Sequence, residues 1–138
     1  MANALYNPFK QKLLDNSTAL DLDGDIIKAT LIDSADYTFS ASHSVYGGGT
    51  PYVPAAAKVA ESAQLGSATV SATGGFDTAD FSWTSVSGDQ SEAIILWDDT
   101  VTNDFLVAFY DTGMTGMPVT PNGGNINVTV NASGWFTL

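Results

Sequence analysis

Two continuous apolar runs constrain the fold of this chain more than any other feature. They are Ala93-Ile94-Ile95-Leu96-Trp97 and Phe105-Leu106-Val107-Ala108-Phe109-Tyr110. Each run is far shorter than the roughly 20 apolar residues of a membrane helix, and each has the length of a strand that is buried on both faces. The largely polar residues 98–104 between them are short enough for a hairpin connection. The two runs therefore predict a central pair of strands.

Shorter segments with strand character surround this pair. Residues 26–32 and 68–72 are rich in Val, Ile, Thr and Ala, and the apolar positions of residues 125–131 alternate strictly. Clusters of Gly, Pro, Asn and Asp separate the segments and indicate turns. We predict a mainly β protein, an antiparallel sandwich or barrel of about eight short strands. Its predicted core is centred on Phe81, Trp83, Ile94, Leu96, Leu106, Ala108, Ile126 and Val128.

One short N-terminal helix is predicted within residues 1–16. Asn7 can cap it and Pro8 can occupy its first position, where a missing N–H costs nothing. Leu5, Phe9 and Leu13 then fall on one face. Two roles remain open, a cap over one end of the β core or a docking arm on a neighbouring subunit. The cap is favoured because so short a helix is marginal without packing.

Residues 40–66 are predicted to form a long irregular loop within a single domain that spans residues 1–138. The segment contains three consecutive glycines and two prolines, with one or two possible helical turns between Ala55 and Ala63. Long ordered loops in compact domains are often binding surfaces. A disordered loop is the equal alternative.

Charge and composition exclude several classes of partner. Fifteen acidic residues stand against four lysines and no arginine, for a net charge of −11. Binding to phosphates or to an anionic membrane needs clustered basic residues, so we expect neither a nucleic-acid nor a membrane partner. The net charge favours solubility over a basic partner surface. The start of the chain lacks the features of a signal peptide and no apolar stretch approaches the length of a membrane span, so synthesis in a cytoplasm is expected. The absence of cysteine does not fix the redox compartment.

The aspartates at positions 21, 23 and 25 match the first three ligand positions of an EF-hand calcium loop. The match fails afterwards, because Ile26 stands where the loop needs Gly and Ile32 where it needs a bidentate Glu. Acidic residues around an Asp-Gly pair are also ordinary turn chemistry. A turn is therefore favoured over a metal site, and no metal or cofactor is expected.

The residues that catalysis would need are scarce. His43 is the single histidine and there is no cysteine. The paired carboxylates Asp98-Asp99 and Asp77/Asp80 lie in predicted turns rather than on opposing walls of a cleft. The glycine clusters are not phosphate-binding loops, since neither precedes a helix with Lys and Ser or Thr. We predict that the protein is not an enzyme and has no catalytic residues, with a small hydrolase as the least favoured alternative.

Several stretches of the chain together resemble a group of small virion structural proteins of tailed bacteriophages. The similar stretches are spread over most of the chain, and residues 40–66 match least well. They are Met1-Ala2-Asn3-Ala4-Leu5-Tyr6 with Phe9 and Leu13-Leu14, residues 27–38 (IKATLIDSADYT), residues 87–94 (SGDQSEAI) and residues 116–124 (GMPVTPNGG).

The group includes head decoration (cement) proteins and minor tail proteins, so the resemblance implies a place in the virion more firmly than a task. We expect a decoration protein on the capsid surface that binds the major capsid protein or other virion proteins. A homo-oligomer, with a trimer favoured, would bridge neighbouring capsid subunits. The alternatives are a tail or neck component and a receptor- or glycan-binding module.

The ends of the chain and the long loop are the predicted assembly contacts. The N-terminal segment combines apolar residues with two of the four lysines, which makes it locally positive, and the loop offers aromatic residues among glycines and prolines. Aromatic anchors commonly dominate interfaces. The predicted contacts are Leu5, Tyr6, Phe9, Lys10, Lys12, Tyr46, Tyr52 and Val53.

Overall fold

The computed structural model describes residues 3–15, 20–47, 52–100 and 104–138. The predicted helical segment and the predicted loop extend beyond these ranges, at residues 1–2 and 16 and at residues 48–51. The elements within the ranges are β1 (Ala4–Leu5), α1 (Asn7–Asp15), β2 (Ile27–Ile32), a 3-10 helix (Ala55–Ala57), β3 (Lys58–Glu61), β4 (Thr69–Val70), β5 (Gly75–Asp77), β6 (Phe81–Trp83), β7 (Ala93–Asp98), β8 (Phe105–Tyr110), β9 (Ile126–Val128) and β10 (Phe136–Thr137).

The main sheet has five strands in the order β1-β8-β7-β2-β3, and all neighbours are antiparallel. β7 and β8 are the two apolar runs of the sequence, and all six residues of each strand are buried. Leu96 of β7 lies opposite Ala108 of β8 on one side and Ala29 of β2 on the other. The predicted central pair of strands is confirmed.

Two smaller antiparallel sheets complete the described part of the fold. One has the strand order β10-β5-β4 and the other consists of β6 and β9. Phe76 of β5 and Trp83 of β6 belong to the same buried hydrophobic cluster as the residues of β7 and β8. The three sheets therefore share one core.

The predicted fold class is confirmed as mainly β, antiparallel, with one N-terminal helix. The barrel alternative is wrong, because the main sheet is open and has β1 and β3 at its edges. The described residues form ten strands rather than about eight, since several strands have only two or three residues. No helix in the described ranges is long and apolar enough to cross a membrane.

Helix α1 caps the core. Phe9 is fully buried, and its ring lies edge-on to that of Phe136 with the centroids 6.0 Å apart. Tyr6, just before the helix, is also fully buried, and its N–H donates to the carbonyl of Val107 in β8. The aromatic residues that flank the start of α1 thus fasten it to two sheets.

The predicted loop of residues 40–66 is in part an edge strand, which corrects the prediction. β3 pairs with β2, with Leu31 opposite Ala60 and Thr30 opposite Glu61. The 3-10 helix Ala55–Ala57 supplies a single turn, so the helical turns predicted up to Ala63 do not extend past it. The sequence of β3 lacks an alternating apolar pattern because an edge strand is covered on one side only and carries charged residues.

The predicted core is confirmed for five of its eight members: Trp83, Ile94, Leu96, Leu106 and Ala108 are buried. Phe81, Ile126 and Val128 are only half-buried. All three belong to the β6–β9 pair, which forms the smallest sheet and covers the margin of the core. Alternation in the sequence places them on one face, but burial of that face depends on what packs against it.

This difference predicts unequal costs for two neighbouring aromatic residues. Trp83→Ala should lower the free energy of unfolding by about 3–5 kcal/mol, since a buried indole is lost. Phe81→Ala should cost less, about 1–2 kcal/mol, because its side chain is only partly removed from water in the folded state. Urea denaturation of both variants measures the difference. Equal losses would contradict the observed burial.

Candidate docking surface

Four of the eight predicted assembly contacts are buried within the chain itself. Tyr6, Phe9 and Val53 are 0% exposed and Tyr46 is 2% exposed. The structure thus corrects their assignment as surface contacts of this chain. Each is a large apolar or aromatic side chain beside Gly, Pro or polar residues, a context that resembles a surface loop although the side chain packs inward.

The other four predicted contacts retain accessible surface. Lys10 is exposed, and Leu5 is half-buried in β1. Lys12 is half-buried with its Nζ 4.7 Å from the centre of the Phe105 ring. Tyr52 is 47% exposed and stacks on His43 with ring centroids 4.6 Å apart. The structure does not bring these four into one cluster with the buried four.

Tyr46 is buried because it completes a polar network inside the main sheet. Its ring stacks on Trp97 at a centroid distance of 4.1 Å, and the Nζ of Lys58 lies 3.7 Å from the centre of the Tyr46 ring. The Tyr46 hydroxyl hydrogen-bonds with the hydroxyl of Thr30 at 2.7 Å and donates to the carboxylate of Glu61. The loop is thereby anchored to three strands.

The hydrogen bonds of this network run in one direction. The indole N–H of Trp97 donates to the Thr30 hydroxyl at 2.9 Å. Because a carboxylate only accepts, the Tyr46 proton goes to Glu61 and the Thr30 proton goes to Tyr46. Burial raises the pKa of Tyr46 and so keeps the hydroxyl protonated. The network is structural, since every member has a partner.

Several exposed apolar side chains lie at the end of α1 and at the neighbouring β10-β5-β4 sheet, and sequence reasoning did not identify them as a group. Leu13 at 37%, Val70 at 49% and Leu138 at 66% exposure line one surface groove of about 430 Å³. Leu14, the next residue of α1, is 89% exposed. We call Leu13, Leu14, Val70 and Leu138 the leucine patch.

The local structure explains why the leucine patch is exposed. Val70 lies in β4, a two-residue edge strand whose residues are both exposed, and Leu138 is the last residue, after β10. Leu13 and Leu14 occupy the end of α1, beyond the part that Phe9 fastens to the core. Leu13, Val70 and Leu138 share the groove with the acidic residues Asp21 and Asp23, and Leu14 follows Leu13 on the helix. Exposed apolar surface can mark protein interaction sites in soluble proteins.

Residues 21–25 form the predicted turn. The N–H groups of Gly24 and Asp25 both donate to the carbonyl of Asp21, at 2.8 and 2.6 Å, and the N–H of Asp21 donates to the carboxylate of Asp25. The pKa of Asp21 is raised, because its protonated carboxyl can donate a hydrogen bond to the neighbouring carboxylate of Asp23 and because the charge of Asp23 repels a second negative charge. In the described part of the chain, no group of three or more His, Cys, Asp or Glu side chains is arranged to hold a metal ion.

The carboxyl group of Asp98 is buried at the end of β7, beside this turn. Asp98 is 0% exposed, and one carboxyl oxygen accepts from the N–H of Thr100 at 2.8 Å. Its Oδ2 has no hydrogen-bond donor among the described residues, and the carboxyl group of Asp98 interacts with that of Asp25. Burial raises the pKa of Asp98 to about 6, and the charge of Asp25 adds to the effect.

His43 is part of an aromatic contact. Its Nδ1 hydrogen-bonds with the hydroxyl of Tyr37 at 2.9 Å, and its ring stacks on Tyr52. Partial burial lowers the pKa of His43, which favours the neutral ring at neutral pH. These contacts position His43 between two tyrosines.

Comparisons with known proteins assign no family to this chain. Neither a protein-family model nor a curated protein matches this chain.

Proposed function

We propose that the protein is a non-enzymatic structural component of a tailed-bacteriophage virion, and specifically a decoration protein that docks on the capsid surface. The single observation that carries the docking role is the leucine patch. Leu14 and Leu138 expose most of their side chains, and Val70 exposes about half of its side chain. The resemblance of the sequence to small phage virion proteins supports the virion as the place of docking.

The energetics of apolar burial support docking through the leucine patch. Covering an exposed leucine or valine side chain contributes about 1.5–3 kcal/mol. Association costs several kcal/mol in lost freedom of motion, so one patch gives weak binding per copy. A protein present in many copies on a lattice gains avidity from repetition, and binding the assembled lattice but not its free subunits stabilises the lattice.

The partner proposed for the leucine patch is an apolar surface of the major capsid protein or of another virion protein. Charge supports a neutral or basic partner, because the chain carries a net charge of −11 and would repel an acidic one. Leu5, Lys10, Lys12 and Tyr52 remain candidates for additional contacts. The homo-oligomer, with a trimer favoured, is part of the proposal.

Charged substitutions in the leucine patch test the proposal. Leu14→Asp combined with Val70→Asp should weaken binding to particles stripped of this protein by about tenfold or more, because two charges would enter an apolar interface. Both side chains are exposed, so stability should change by no more than about 1 kcal/mol. Occupancy is measured by quantitative gel analysis of sedimented particles.

Ile26→Asp is the matched control. Ile26 is 39% exposed but lies outside the leucine patch, so this variant should bind like the wild type. Unchanged occupancy of the double variant would eliminate the patch as the docking surface. A particle that retains only a few copies would favour the tail or neck alternative over decoration.

A further inference from the structure

We propose that a second groove, which shares no lining residue with the first, binds a neutral oligosaccharide. The groove has a volume of about 940 Å³ and lies between residues 112–117 and residues 125–135. Its volume falls within the range of small-molecule sites. The proposal does not depend on the virion role, and none of its residues belongs to the leucine patch.

The groove lining is polar but almost without charge. Asp80 is the one ionisable acid among the lining residues, and no lysine is present among them. Asparagines at positions 125, 127 and 131 and the hydroxyl of Thr129 supply donors and acceptors. Such a lining offers no counter-charge for a phosphate or a carboxylate and little for a cation, so it fits a neutral ligand rich in hydroxyl groups.

Some of these polar groups have spare hydrogen-bonding capacity. Asn127 is exposed, and neither it nor Thr129 makes a side-chain hydrogen bond to a described residue. Asn125 uses its carbonyl oxygen to accept from the N–H of Ser85, and Asn131 uses its own to accept from Ser133. The amide NH₂ groups of Asn125 and Asn131 thus remain as donors for ligand oxygens.

Trp83 provides an independent sign of a missing partner. Its side chain is 3% exposed and lines the groove, yet its indole N–H has no acceptor among the described residues. An unpaired buried donor is costly and uncommon in native proteins. The indole nitrogen is itself buried, so a ligand hydroxyl would accept this hydrogen bond only after a local shift of the groove wall at Trp83.

Trp135 supplies a fixed aromatic surface. Its indole N–H donates to the hydroxyl of Thr78 at 2.8 Å, and its ring contacts Tyr110 and Phe81 at centroid distances of 5.2 and 6.3 Å. The side chain is only half-buried, so part of the ring remains accessible. The apolar C–H face of a sugar ring packs on such a surface, while its hydroxyls reach the surrounding amides. A preorganised ring loses little entropy on binding.

Nuclear magnetic resonance of the whole chain tests the proposal directly. The three tryptophans give three indole N–H signals, and the probes are maltotriose, cellotriose, mannotriose and chitotriose, titrated to millimolar concentration. At least one probe should shift the signals of Trp83 and Trp135 with saturation. If none of the four shifts either signal, the proposal is overturned.

Variants separate binding in the groove from binding elsewhere. Asn127→Ala combined with Thr129→Ala removes two polar side chains without internal partners and should weaken binding by about tenfold. Trp135→Ala should weaken sugar binding further. If Trp135→Ala does not fold, the double variant still tests the groove. Tyr52→Ala, which removes an exposed aromatic residue outside the groove, should bind like the wild type.

Two outcomes would contradict a sugar site in this groove. In the first, the double variant binds every probe that the wild type binds, and with unchanged affinity. In the second, no sugar binds, the wild type self-associates with rising concentration in sedimentation, and the double variant does not. The groove would then bind a second copy of the chain. Loss of particle binding by leucine-patch variants would leave the sugar titration unaffected, so the two proposals fail separately.

Discussion

Replacing Tyr46 with alanine is expected to lower the free energy of unfolding by about 3–5 kcal/mol, the range for removing a large buried aromatic side chain. The ring is held between the Trp97 indole and the Lys58 ammonium. Its loss would leave a cavity and deprive Glu61 and Thr30 of a hydrogen-bond partner. Urea denaturation followed by tryptophan fluorescence measures the change.

Tyr46→Phe separates the ring from the hydroxyl. This variant keeps the stacking on Trp97 but leaves the Glu61 carboxylate and the Thr30 hydroxyl without the Tyr46 oxygen. The expected cost is about 1–3 kcal/mol, because the buried Thr30 hydroxyl loses its acceptor, whereas the exposed Glu61 carboxylate can bond to water. Tyr46→Phe should therefore fall between the wild type and Tyr46→Ala.

Tyr52→Ala is the matched control, because it removes a tyrosine from the same segment of the chain. Tyr52 is 47% exposed and its ring stacks on His43, so Tyr52→Ala should cost only about 1 kcal/mol. Comparable losses for Tyr46→Ala and Tyr52→Ala would show that the Tyr46 network does not anchor the loop.

The elements that could be predicted from the sequence are those with a strong local pattern. The two apolar runs predicted β7 and β8 because a strand buried on both faces needs apolar residues at every position. Helix α1 was predicted from a cap, a proline and the spacing of Phe9 and Leu13. The turn of residues 21–25 followed from its Asp-Gly chemistry. In each case the decisive residues are close together in the sequence.

The position of Tyr46 could not be predicted in this way. Its partners Thr30 and Glu61 are 16 and 15 positions away, and Thr30 reaches Trp97 across 67 positions. Only the pairing of β2 with β3 and β7 brings them together. A tyrosine followed by three glycines has the local context of a surface loop, and a long-range network overrides that context.

The leucine patch was missed for a related reason. Leu14, Val70 and Leu138 are single apolar residues in polar surroundings, and isolated surface apolar residues are normal. They become a patch only because the fold places the end of α1 beside the β10-β5-β4 sheet, where Leu13, Val70 and Leu138 line one groove. Separation in sequence again hides the feature.

Replacing Asp98 with asparagine is expected to stabilise the protein at pH 7.5 by about 2–3 kcal/mol. Burial raises the pKa of Asp98 to about 6 from its ordinary value of 3.8. At about 1.4 kcal/mol per pH unit, this difference is on the order of 3 kcal/mol. Asparagine carries no charge, can still accept from the N–H of Thr100, and adds an NH₂ donor towards the carboxylate of Asp25.

The direction of the pH dependence follows from the raised pKa. The folded state binds the proton of Asp98 more tightly than the unfolded state does. The contribution of Asp98 to stability is therefore fully present below pH 3.8 and is lost as the pH rises through about 6. Wild-type protein should be more stable relative to Asp98→Asn at pH 5 than at pH 7.5.

Asp99→Asn is the control for a change of charge at the same end of the sheet. Asp99 forms an ion pair with Lys28 at 2.5 Å, and 30% of its side chain is exposed. Partly exposed pairs of this kind contribute about 1 kcal/mol or less, so this variant should be neutral or slightly destabilised. Urea denaturation of the three proteins at pH 5 and pH 7.5 gives all the differences. The prediction fails if Asp98→Asn is less stable than the wild type at pH 7.5. The contact with Thr100 would then stabilise the charged carboxylate of Asp98 by more than burial destabilises it.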